Sequence, residues 1–267
     1  MAAIFFDIDG TIWDYKNVLP ESTVLAVKQL KENGHLTFLC SGRMCAMIRD
    51  PRLAALSMDG MIAGCGTYAE FRGEELFNNE METELLERTV QQLQAAGFGV
   101  VVEGKETIFA DKTIRSSRFG RFIERGAGDA LVSLEEAAGS LSGTKFTTLL
   151  CGQKEEAAAA QFSETFEVIF HGGFVMELVP KGSNKATGIA RVCEILCIPH
   201  EETYAIGDSD NDIDMLRYAA HGIAMGNATP GAKAAADFIT ADIHEDGLYQ
   251  AFVDYGLIDS DNRFSKP

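Results

Sequence analysis

Nowhere does an apolar run in this 267-residue chain approach the roughly 18 residues a bilayer-spanning helix needs, so no membrane span is expected. Positive charge is also scarce, with 23 lysines and arginines against 40 aspartates and glutamates and a formal net charge of −17. No basic run offsets that field, which argues against nucleic acid or an anionic membrane surface as partner. A small anionic substrate would need a local cation or a metal. The six cysteines (40, 45, 65, 151, 193 and 197) form no CxxC pair. In a mid-sized chain they are expected as reduced thiols of a cytoplasmic protein, with core packing rather than a metal site for Cys193 and Cys197. No basic segment leads into an apolar one near the start, so no secretory leader is expected, and repeats and low-complexity tracts are missing. What remains is 46% hydrophobic and 24% charged, which excludes disorder and can bury the core of one large or two modest domains.

The chain is organised around Ala3-Ile4-Phe5-Phe6-Asp7-Ile8-Asp9-Gly10-Thr11. Its apolar start has the character of a buried strand, and Gly10 ends it. Alternation along a strand puts Asp7 and Asp9 on one side and Ile8 inside. Two such carboxylates repel, and the pairing makes sense if a hard cation neutralises them or if one of them keeps a proton and works as an acid. Gly10 lets the backbone approach a ligand closely.

Further along, a helix is expected from Glu21 with Val24, Val27 and Leu30 on one face, then a strand over Leu36–Cys40. Met44–Leu56 reads as helix interrupted at Pro51, and Met61–Ala63 as a third strand. This βα order predicts a mostly parallel sheet with helices on its faces. The middle differs: a helix over Glu80–Ala96, strands near 99–103, 107–110, 144–151, 166–170 and 174–179, and a helix over 155–165. Loops and a short helix are expected over 116–142. The βα pattern returns from Lys185, so the fold expected is an α/β core of residues 1–80 and 183–267 carrying an inserted α+β domain, 81–182.

Three further stretches fall where ligands bind in an open α/β sheet. Ser41-Gly42 offers a hydroxyl and free backbone N–H groups at a helix start, a fit for a phosphate oxygen. Lys185 opens a helix, against the preference of the helix dipole, which a bound anion and a nucleophile would excuse. Gly207-Asp208-Ser209-Asp210-Asn211-Asp212 crowds hard oxygen ligands suited to Mg²⁺ after a buried strand; an EF-hand is excluded by the missing glycine and distal glutamate. His171-Gly172-Gly173 is a candidate loop facing the site, and Trp13 is a candidate to close over it.

These stretches together resemble the haloacid-dehalogenase-like (HAD) superfamily of phosphohydrolases, and within it the Cof-type group with a large α/β cap. The resemblance spans essentially the whole chain and implies a Rossmann-like core with a cap domain. It implies that Asp7 is the nucleophile and Asp9 the general acid/base. It further implies that Ser41, Gly42, Lys185 and Asn211 bind phosphate. Mg²⁺ would sit on Asp7, the backbone carbonyl of Asp9 and Asp208, with Asp212 supporting the metal's water shell. Where relatives often carry Asn-Gly after the third core strand, this chain has Cys65-Gly66, which makes Cys65, with Trp13 and His171, a candidate for substrate choice. The implied activity is hydrolysis of a small phosphorylated metabolite by a monomer or homodimer. A phosphomutase and a non-enzymatic phosphometabolite-binding protein are the alternatives, and a dehalogenase is disfavoured because attack on carbon needs neither Asp9 nor the acidic loop.

Overall fold

The computed structural model describes every residue except 138, 153, 172, 262 and 265–267. The chain opens with β1 (Ala3–Phe6), wholly buried, and α1 (Glu21–Glu32). The buried stripe of α1 is Thr23, Ala26, Val27 and Leu30 with Ser22. Val24, expected on it, is 43% exposed, because it stands about 100° round the helix from Thr23. After β2 (Leu36–Cys40), Pro51 begins α2 (Pro51–Ala55) rather than interrupting a helix. Its ring suits the first helical position, and the Asp50 side chain caps the Arg52 N–H. β3 (Gly60–Ala63) is followed by an antiparallel hairpin that the sequence did not announce, β4 (Tyr68–Phe71) and β5 (Glu74–Asn78). Arg72 and Gly73 both have positive φ at its turn, as tight hairpins require.

The middle of the chain contains α3 (Thr83–Ala95), β6 (Gly99–Glu103), β7 (Ile108–Ala110), α4 (Lys112–Arg115), α5 (Arg118–Ala127), β8 (Leu131–Ser133), β9 (Lys145–Leu149), α6 (Glu155–Phe162), β10 (Phe166–His171) and β11 (Val175–Pro180). Residues 116–142, expected as loops and a short helix, hold α5 and also β8, a strand too short to show a period. Then come α7 (Lys185–Leu196), β12 (Thr203–Gly207), α8 (Ile213–Tyr218), β13 (His221–Ala224), α9 (Pro230–Ala235), β14 (Phe238–Ile239) and α10 (Gly247–Asp254).

The strands form two sheets. The first runs β14-β13-β12-β1-β2-β3-β4-β5, parallel as far as β3, with the hairpin as an antiparallel edge. Helices cover both its faces, giving the α/β architecture expected. The second runs β10-β11-β9-β6-β7-β8 and is antiparallel except between β7 and β8. Its outer face packs Val100, Val102, Phe146 and Leu178 against Leu86 and Leu93 of α3 and Phe162 of α6. Its inner face sets Val101, Ile108 and Ala110 against Met44 and Met47 of the segment after β2, Ala63 at the end of β3 and Tyr68 at the start of β4. Apolar burial therefore holds the second sheet above the carboxyl ends of β2 and β3.

Candidate active site

β1 and β12 are parallel neighbours with Phe6 opposite Ile206, so the residues that follow each strand leave the sheet side by side. This is also where strand order reverses, toward β2 on one side and β13 on the other, the usual ligand crevice of such sheets. Asp7 leaves β1 there and Asp208 leaves β12. α7 brings in Lys185 at its first position, behind a capping box in which Asn184 and Thr187 satisfy each other's backbone N–H. Gly66 permits that approach, since a Cβ on it would lie 2.0 Å from the Asn184 carbonyl.

Lys185 is 1% exposed, which rules out a solvated surface lysine. Its Nζ donates to Asp7 Oδ1 and to Asp212 Oδ1, each at 2.5 Å. The other oxygen of Asp212 accepts the backbone N–H groups of Asp208 and Ser209. Asp212 thus spends its oxygens folding the 208–212 loop around Lys185. Ligand oxygens of Asp7, Asp208 and Asp212 lie within 4.8 Å of one another, all buried.

One ammonium faces three buried carboxylates. Burial, then Asp212, holds Asp7 well above the usual carboxylate range, and burial pushes Asp208 up to about 6 with Asp212 adding to it. Burial alone would lower Lys185, but Asp212 and Asp7 outweigh it and keep it charged. Hard oxygen donors with too little positive charge among them fit a divalent cation such as Mg²⁺. Asp7, Asp208 and Asp212 are the carboxylates that could hold it, although Asp212 spends one oxygen on Lys185 and the other on the 208–212 loop.

Asp9 takes different partners. Trp13 Nε1 donates to Asp9 Oδ1 at 2.9 Å, and Arg43 reaches the same oxygen at 2.6 Å. Trp13 is therefore no lid: its ring is buried and its N–H holds Asp9. Ser41 directly follows β2 and is buried, and its Oγ accepts the Arg43 N–H at 3.1 Å. A Cβ on Gly42 would touch Cys65 Sγ at 3.4 Å and Asn211 Nδ2 at 3.5 Å, so Ser41, Gly42 and Asn211 share one corner. The Ser209 hydroxyl donates to Asn211 Oδ1. Cys65 is buried, with its thiol pushed up to about 12 by burial, which makes it a neutral wall rather than a nucleophile. It lies 3.8 Å from Glu177 of β11. His171 is at the rim, 3.6 Å from the other oxygen of Glu177; Gly172 of its loop lies outside the described residues.

Sequence reasoning missed several neighbours. Tyr15 donates to Asp208 Oδ2 at 2.6 Å, and Thr11 reaches Oδ1 at 3.3 Å. Arg43 could have been found from its place directly after Ser41-Gly42. Lys145 of β9 gave no signal, yet its Nζ lies 2.9 Å from the Gly42 carbonyl.

Comparison with known proteins agrees with this geometry. Residues 4–252 match the family model described as haloacid dehalogenase-like hydrolase. The chain is 34% identical to YkrA of Bacillus subtilis over 96% of its own length and 98% of that protein. It is 26% identical to the Bacillus subtilis 5-amino-6-(5-phospho-D-ribitylamino)uracil phosphatase YitU, over 94% of this chain and 96% of that one. Among solved structures it is similar to the HAD subclass IIB sugar phosphatase BT4131, with a TM-score of 0.82, 28% identity, and 97% of this chain and 100% of that one covered.

Proposed function

The chain belongs to the haloacid dehalogenase-like hydrolase family, in its Cof-type branch, and from that premise we propose a Mg²⁺-dependent phosphatase of a small phosphorylated metabolite that works through an aspartyl-phosphate on Asp7. The family makes it a phosphoric monoester hydrolase. The observation that carries the finer reading is Lys185, buried between Asp7 and Asp212 beside Asp208.

In this reading a carboxylate oxygen of Asp7 attacks phosphorus, and the bond to the leaving oxygen breaks as Asp9 gives that oxygen a proton. Asp9, now ionised, takes a proton from water, whose oxygen attacks the acyl phosphate and releases phosphate and free Asp7. Lys185, the Ser41 hydroxyl, the backbone at Gly42 and the Asn211 amide hold the phosphoryl oxygens as their charge shifts. Asp7, Asp208 and the Asp9 carbonyl would hold Mg²⁺, whose charge lets a phosphate dianion approach the aspartates. Asp212 orients Lys185 and the loop. Residues 81–182 act as the cap that excludes water and reads the leaving group, with Cys65, Glu177 and His171 on its side of the site.

Asp7→Asn tests the reading. It should remove turnover of an activated aryl phosphate while the protein still folds and binds inorganic phosphate with Mg²⁺. Retention of more than about a tenth of kcat would rule out covalent catalysis through Asp7.

A further inference from the structure

The inner face of the second sheet meets the core through mainly apolar side chains, and a charged cluster is buried among them. Lys145, 1% exposed on β9, lies there between Glu103 of β6, at 3.4 Å, and Glu177 of β11, at 3.0 Å. Strand register puts it there, since Glu103 pairs directly with Lys145. Burial alone would lower the ammonium, but Glu103 and Glu177 outweigh it and keep it charged.

Two carboxylates would suffice to neutralise this lysine, yet it also donates to the main-chain oxygen of Gly42 at 2.9 Å. Glu103 and Glu177 hold the ammonium as ion pairs, while one of its N–H donors goes to Gly42.

Its effect passes through the peptide it grips. A trans peptide points its C=O and the following N–H in opposite directions. With the Gly42 oxygen held by Lys145, the Arg43 N–H is aimed the other way, and it donates to Ser41 Oγ at 3.1 Å. An Oγ that already accepts a hydrogen bond has its own O–H free to turn toward an incoming oxygen. Each link polarises the next, from ammonium to carbonyl to amide to hydroxyl.

We propose that Lys145 is a positioning residue for Ser41: through the Gly42–Arg43 peptide it aims and strengthens the serine hydroxyl, so that docking of the second sheet tightens the grip on phosphate. This rests on the assignment of Ser41 to the phosphoryl group. It places one determinant of phosphate affinity in the inserted segment, outside every stretch that carries the chemistry.

The test is a double-mutant cycle on the full chain, read as the Kd of inorganic phosphate in the presence of Mg²⁺, with Tm recorded for every variant. Lys145→Met should weaken phosphate binding about tenfold in the native background, and by no more than about twofold when Ser41 is already alanine. Equal losses in both backgrounds would reduce Lys145 to a structural tie and overturn the proposal. So would unchanged phosphate affinity with a raised KM for some leaving groups only. If Lys145→Met fails to fold, because it strands Glu103 and Glu177, Lys145→Gln replaces it and keeps a neutral donor. A smaller but non-zero coupling to Ser41→Ala is then expected, and zero coupling refutes the relay. If Ser41→Ala alone leaves phosphate affinity unchanged, it is the site reading that fails, and the relay falls with it.

Discussion

Trp13 donates its indole N–H to Asp9 Oδ1 at 2.9 Å, the oxygen that also takes Arg43, and so leaves Oδ2 as the carboxylate oxygen available for proton transfer. Two donors on one oxygen fix which way the carboxyl faces, the orientation that the acid/base role proposed for Asp9 requires. Arg43 in turn lies over the Phe122 ring of α5, so Asp9 is tied at one remove to the second sheet's helices.

Trp13→Phe should therefore loosen Asp9 without freeing it. Phenylalanine keeps an aromatic face for Arg52, which lies over the Trp13 ring, but loses the N–H. One neutral-to-charged hydrogen bond of about 1.5 kcal/mol corresponds to a fall in kcat of about tenfold. Inorganic phosphate affinity should not move. Steady-state kinetics beside phosphate titration separate the two, and a change confined to affinity would place Trp13 with the phosphate ligands instead.

The charge imbalance at Asp7 makes a prediction about stability. Burial, ahead of every other cause, holds its folded pKa well above the ordinary carboxylate range, so the folded state binds that proton more tightly than the unfolded chain does. Ionised Asp7 consequently costs stability at neutral pH, and the cost disappears below about pH 3.8. Asp7→Asn should raise the metal-free Tm at pH 7, with the advantage shrinking as pH is lowered toward 4. Lys185 keeps Asp212 as its partner in that variant. Added Mg²⁺ should raise the Tm of the native chain more than that of the variant. A lower metal-free Tm for Asp7→Asn at pH 7 would mean that the Lys185–Asp7 attraction outweighs desolvation and carboxylate repulsion together.

What could be read from the sequence was chemistry placed at element ends. Asp208 and its neighbours stood out because packing has no use for so many carboxylates after a buried strand, and Lys185 because a lysine opposes the dipole of the helix it opens. The βα rhythm on either side of the middle gave the parallel sheet. The β4–β5 hairpin was missed because its second strand reads Glu-Glu-Leu-Phe-Asn and lies at an edge, half in water. Lys145 was illegible for a stronger reason. In Lys-Phe-Thr-Thr-Leu the alternation marks Phe146 as the buried side and Lys145 as the wet one. Only the docking of that second face onto the core loops buries it, and no local pattern encodes a contact more than a hundred residues away. Trp13 was placed near the site, but which atom it served depends on the turn that carries Asp9 back over it.

Gly10 allows the sharpest test of Asp208. Its φ is +91°, and a Cβ there would stand 2.2 Å from Asp208 Oδ2 and 2.8 Å from Oδ1. The loop cannot easily retreat, because Asn227 donates to the Gly10 carbonyl while accepting the Ile243 N–H. Nor is Asp208 loose, since Tyr15 and Thr11 hold its two oxygens. Gly10→Ala must therefore push the carboxylate off its position, and should weaken Mg²⁺ binding by at least about tenfold in a calorimetric titration. Gly34→Ala is the control. Its φ is +80° but nothing lies within 4 Å of the added methyl, so it bears the backbone strain alone. That variant should lose about 1 kcal/mol of stability and none of its metal affinity. If the two substitutions left Mg²⁺ binding equally intact, the carboxylate of Asp208 could not be holding the metal, and the ligand set would have to be rebuilt on Asp7 and Asp212.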